Sequence, residues 1–111
     1  MAKYERNLSG DYDEIVKNIH EEIMNDSYSM KLVDESNYQL GDINISVRVY
    51  DKYFMRNGNR TSLSLTIAGN SNDIYVSAIS AGGGQGIFLD TSWGAEEDMI
   101  TMVQNIIEQR V

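Results

Sequence analysis

The chain has 111 residues, with 17 Asp and Glu against 9 Lys and Arg, one His, no Cys and no Pro, for a net charge of -8. This length supports one domain, residues 1–111, with one modest core. The charge argues against a non-specific nucleic-acid binder, which needs cationic surface to meet phosphates. The lack of Cys excludes a disulfide framework, a thiolate zinc site, a cysteine nucleophile and an iron–sulfur cluster.

Residues 2–8 read as a first strand, with Ala2, Tyr4 and Leu8 on one side and Lys3, Glu5 and Asn7 on the other. Ser9-Gly10-Asp11 interrupts it, and Asp11 followed by Glu14 has capping-box spacing. Tyr12, Ile15, Val16, Ile19 and Ile23 recur every three or four residues, which predicts an amphipathic helix over 11–25. From Tyr28 the period becomes two; the polar run Asp34 to Asn37 marks the strand at 28–39 as an edge. After Gly41-Asp42, residues 43–56 alternate most clearly. Ile43, Ile45, Val47 and Val49 are expected to face inward, and Asn44, Ser46, Arg48 and Tyr50 outward.

Asn57-Gly58-Asn59 predicts a hairpin turn, because Asn and Gly accept positive φ. The partner strand, 60–68, points Leu63, Leu65 and Ile67 inward and Ser62, Ser64 and Thr66 outward. The strand at 74–81, after the turn Asn70 to Asp73, is apolar on both faces and therefore expected inside the sheet. Glycine-rich residues 82–86 lead to a short strand, Ile87-Phe88-Leu89, and Thr91 to Gly94 introduce a second helix. Glu96, Glu97 and Asp98 suit that helix's positive end, Met99, Met102, Val103, Ile106 and Ile107 form its apolar stripe, and Arg110 lies in its last turn. The expected fold is α+β, a two-layer β-α-β-β-β-β-β-α arrangement whose curved antiparallel sheet carries both helices on one face.

No apolar run reaches the roughly 18 residues of a membrane span, and the opening MAKYERNLSG has no hydrophobic signal segment, so a cytoplasmic protein without a membrane partner is expected. His20 opens HEEIM, but a zincin helix needs a second His where Met24 stands, so no metal site follows. There is no G-x-S-x-G elbow to go with a lone His, no catalytic set emerges, and His20 reads as a helix-edge residue. Neither a P-loop nor a dinucleotide fingerprint fits Gly82-Gly83-Gly84-Gln85-Gly86, which precedes a strand; no cofactor is expected. Its main reading is a wide turn or bulge, its alternative a loop beside a cleft, with Gly83, Gly84 and Gln85 as ligand candidates. The acidic clusters Asp11–Glu14 and Glu96–Asp98 suit helix starts and lack the calcium-loop pattern.

Residues 43–69 hold Arg48, Lys52, Arg56 and Arg60 against one acid, Asp51. Arg48, Lys52 and Arg56 share parity, with Tyr50 and Phe54 between them, so a regular strand points all five to the same outward face. The main reading is an ordinary solvated sheet face whose long side chains cover the sheet; the alternative is a face that meets an acidic patch on another chain or holds a small anionic ligand. Trp93 is expected to plug the end of the core, with ligand stacking as the lesser reading.

The segments AKYERNLSGDYDEIVKNIHEEI, VRVYDKYFMRNGNRTSLSLTI and SAISAGGGQGIFLD resemble a family of short, uncharacterised bacterial proteins classed as a domain of unknown function, over nearly the whole chain. The resemblance implies a bacterial, intracellular setting and transfers no activity and no catalytic residue. A curved sheet against a long C-terminal helix is also similar, at the level of fold, to helix-grip ligand-binding domains. The leading functional expectation is a non-enzymatic domain that forms a homodimer through the polar sheet face or an exposed strand edge. The alternative is a binding module with a pocket between sheet and helices, its mouth at residues 82–86 and Trp93. An enzyme ranks third, restricted to carboxylate, Tyr or Lys chemistry.

Overall fold

A computed structural model describes residues 2–55, 58–82 and 94–109. Its elements are β1 (Ala2–Leu8), α1 (Tyr12–Met24), β2 (Lys31–Leu40), β3 (Ile43–Phe54), β4 (Asn59–Gly69), β5 (Ile74–Gly82) and α2 (Ala95–Glu108). The strands form one antiparallel sheet in the order β1-β5-β4-β3-β2. The architecture is the expected α+β one, with β2 at an edge and β5 inside the sheet. The sixth strand expected at 87–89, and Arg110, lie outside the described residues.

The topology follows from short connections. Strands β2 to β5 are successive hairpins, and β1 closes the sheet beside β5. The connection from β1 to β2 must therefore cross from one edge to the other. The helix α1, with 13 residues, is about 20 Å long at 1.5 Å per residue. Four gaps between neighbouring strands span about 19 Å, so one helix of this length bridges the edges. Its start is capped by Asp11, whose carboxylate accepts from the Glu14 amide at 3.0 Å.

The core lies between the helices and one face of the sheet. Ile19 and Ile23 of α1, with Met99, Val103 and Ile107 of α2, meet Leu63, Leu65 and Ile67 of β4 and Val76 and Ala78 of β5. These ten side chains are at most 1 % exposed, and at roughly 1.5–3 kcal/mol for each large aliphatic side chain they dominate the stabilisation. Polar ties fix the layers at their rims. The Tyr12 hydroxyl donates to the Ile67 carbonyl oxygen at 3.2 Å. One carboxylate oxygen of Glu108, at the end of α2, accepts from the Tyr4 hydroxyl and from Arg6 Nη1, the latter at 2.8 Å.

The turns are those that local chemistry predicts. Gly58, at φ 67°, sits in the β3–β4 hairpin and donates its amide to the Phe54 carbonyl oxygen at 3.0 Å. The side-chain oxygen of Asn70 accepts from the amides of Asn72 and Asp73, both at 2.9 Å, and so closes the β4–β5 turn.

Candidate functional site

The strand β3 divides the molecule's chemistry, and its facing is the reverse of the one expected. Register pairs Tyr50 with Leu63, Arg48 with Leu65 and Ser46 with Ile67. Directly paired residues share a face, so Arg48, Tyr50, Lys52 and Phe54 lie with the buried side of β4, under the helices. Tyr50 is 0 % exposed and Phe54 8 %. The aliphatic set Ile43, Ile45, Val47 and Val49 is left on the open face, only partly buried. Both parities of β3 are apolar enough to be buried, so alternation alone does not choose between them. The choice goes to the face with two aromatic rings, each burying about 150–250 Å², because α1 and its flank supply partners for Tyr50 and Lys52, and β2 one for Arg48.

Those partners form a seam. His20 Nδ1 lies 2.7 Å from the Tyr50 hydroxyl, with the two rings 5.7 Å apart between centroids. Arg48 Nε donates to Ser46 Oγ at 3.2 Å, and its Nη2 lies 3.4 Å from Glu35 on β2. Lys52 Nζ is 2.6 Å from the Asp26 carboxylate just past α1 and 4.9 Å above the Phe54 ring. Arg60 joins Asp51 Oδ1 at 2.7 Å through Nε and the Ser29 carbonyl oxygen at 2.5 Å through Nη2. Lys52 thus ties the end of α1 to β3, Arg60 ties the loop after α1 to Asp51, and Arg48 ties β2 to β3. Of the expected ligand or interface residues, Arg48, Tyr50, Lys52 and Phe54 come together, but in this seam. Arg56, Gly83, Gly84, Gln85 and Trp93 lie outside the described residues.

Sequence reasoning placed His20 at the helix edge and did not give it Tyr50. Only the fold joins residues 20 and 50. Burial, and then the Arg48 cation, lower the His20 pKa below 6.5, while burial raises that of Tyr50 above 10, partly offset by Arg48. At neutral pH both groups are uncharged and share one hydrogen bond. The unfolded chain takes up the imidazole proton first, so this contribution to stability is complete above about pH 6.5 and is lost as pH falls through the lower folded value. Urea midpoints are therefore expected to fall from pH 7.5 to pH 5.5, and His20→Gln to flatten that stretch of the profile.

Among the described residues, no helix lies over the opposite face of the sheet. Its cross-strand rows follow from the register: Asn7, Tyr75, Ala68, Ile45 and Tyr38 in one; Glu5, Ser77, Thr66, Val47 and Ser36 in the next; Lys3, Ile79, Ser64, Val49 and Asp34 in the third. Tyr38 (64 %), Leu40 (62 %), Tyr75 (37 %) and Ile79 (38 %) are exposed there. Among the described strand residues its charges are Lys3, Lys31 and Arg60 against Glu5, Asp34 and Asp51, which balance on a chain of net charge -8. The Tyr75 hydroxyl donates to the Glu5 carboxylate. This neutral, partly apolar face is the candidate site.

Elsewhere, a cleft of about 560 Å³ opens between the end of α1 and α2. It is lined mainly by polar and acidic side chains, including Glu22, Asp26, Asp98 and Asn105. Among the described residues no group of three or more His, Cys, Asp and Glu is placed to hold a metal ion, and no helix is long and apolar enough to cross a membrane.

The fold is a two-layer α+β architecture in which, among the described residues, one sheet face carries no helix. The chain belongs to DUF6054, a family of unknown function whose model matches residues 1–111. No curated protein matches the chain.

Proposed function

We propose that this protein is a non-enzymatic interaction domain that forms a homodimer through the open face of its sheet. The observation that carries the reading is the uncovered side of β3. Ile43, Ile45, Val47 and Val49 stand there beside exposed Tyr38, Leu40, Tyr75 and Ile79, where a sheet face facing water ordinarily alternates to polar residues. Neutrality supports the same reading. Two chains of charge -8 repel, and a face whose cations and acids balance opposes their approach least.

The interior supports this reading over a pocket between the layers, because the ten residues at the centre of the described core are at most 1 % exposed. The facing of β3 also sets the decisive mutation. Arg48→Glu with Tyr50→Ala would break the α1 seam, whereas Ile45→Asp places a carboxylate on the open face between Ala68 and Tyr38.

Sedimentation velocity of the wild type is expected to show a species of twice the 12.5 kDa chain. Ile45→Asp is expected to raise the dimer Kd about 100-fold or more with an unchanged far-UV spectrum. A wild-type chain that stays monomeric throughout the micromolar range overturns the proposal.

A further inference from the structure

Resting on that reading, we infer that the occupant of the open face is a second copy related by a two-fold axis running along β4. Three features of the face carry this. First, β4 is the central strand, and from Ser62 to Ala68 its open side bears small residues, Ser62, Ser64, Thr66 and Ala68, with Arg60 only at the strand's start, so two copies come closest along that stretch. Second, its flanks match in bulk: Ile79 on β5 and Val49 on β3 lie on either side of Ser64, and Tyr75 and Ile45 on either side of Ala68.

Third, charge along the row through Ser64 is antisymmetric. Lys3 stands at the β1 end and Asp34 at the β2 end. An axis along β4 turns this row end for end. Lys3 then faces Asp34 of the second copy, Ile79 faces Val49, and Ser64 faces itself. The row through Ala68 brings Tyr75 against Ile45 and the Asn7 amide against the Tyr38 hydroxyl. An axis running across the strands along this same row instead sets Lys3 over Lys3 and Asp34 over Asp34, which like-charge repulsion disfavours.

Size is adequate. The 11 residues of β4 and five strands about 4.8 Å apart make a face on the order of 700 Å². A standard specific interface buries about 800 Å² per partner. Face-to-face sheets pack about 10 Å apart with strands about 30° from parallel, within reach of a lysine at the rim.

Charge exchange tests the axis. Lys3→Asp and Asp34→Lys are each expected to raise the dimer Kd about tenfold, because each meets a like charge on the other copy, and the double variant to recover most of that loss. Because the chain has no Cys, Ser64→Cys is expected to be joined to its counterpart by a short bis-maleimide, and Lys3→Cys is not. A dimer indifferent to the single reversals, or a double variant weaker than either, overturns the axis while self-association stands. A chain that never dimerises overturns both.

Discussion

Tyr50→Ala is expected to lower the unfolding free energy by about 4 kcal/mol, the range for emptying a fully buried aromatic site. The side chain is 0 % exposed, packs in the main core and carries the hydroxyl that meets His20. Losing it removes apolar burial and leaves the imidazole without that bond. Tyr50→Phe separates the two, because it keeps the ring and removes only the hydroxyl; about 1–1.5 kcal/mol is expected for that step. Urea denaturation of the two variants measures the difference, and amide exchange localises it. Amides of α1 should lose protection before those of β4 and β5, because the seam holds α1 while α2 packs over the β5 and β1 half of the same face. Equal losses for Ala and Phe would show that the hydrogen bond, and not the ring, carries the site.

Gly69→Ala is expected to cost about 3 kcal/mol, at the upper end for overpacking. A Cβ at this position would stand 2.3 Å from the Asp73 carbonyl oxygen and 2.8 Å from the Ile74 Cα. Both are backbone atoms, so no flexible side-chain end can yield, and the turn held by the Asn70 amide and the Asp73 carbonyl oxygen at 3.1 Å must open. Gly41→Ala is the control. Its φ is 63°, but a Cβ there meets nothing within 4 Å, so it carries only the left-handed backbone penalty of about 1 kcal/mol. The larger loss at Gly69, read from thermal or urea midpoints, distinguishes close backbone approach from conformational preference.

The functional site was harder to read than the fold, and β3 shows why. Its odd positions from 43 to 49 are aliphatic, and its even positions from 48 to 54 mix Tyr and Phe with Arg and Lys. Ordinary hydropathy buries the aliphatic side, which sends the aromatics and cations to solvent. In the folded chain the even positions are buried because His20, Asp26 and Glu35 arrive to satisfy them. These partners are 30, 26 and 13 residues away in the chain, beyond any local pattern. Reversing one strand's facing moved the candidate surface from Arg48, Tyr50, Lys52 and Phe54 to Ile45, Val47, Tyr38 and Tyr75. Self-association keeps its place as the leading reading, now with an apolar surface to carry it.

Taken alone, the sequence determined what depends on near neighbours. The two helices follow from apolar spacings of three and four, the hairpins from Gly41, Gly58 and Asn70, and the edge character of β2 from its polar run. Each is a property of a few adjacent residues whose backbone preferences and periodicity act before any tertiary contact forms. Only the tertiary structure decided that β1 closes beside β5, which face of β3 turns inward, and that His20 meets Tyr50. Those outcomes compare whole arrangements of buried area and satisfied charge, and the competing arrangements differ in partners that the linear order keeps far apart.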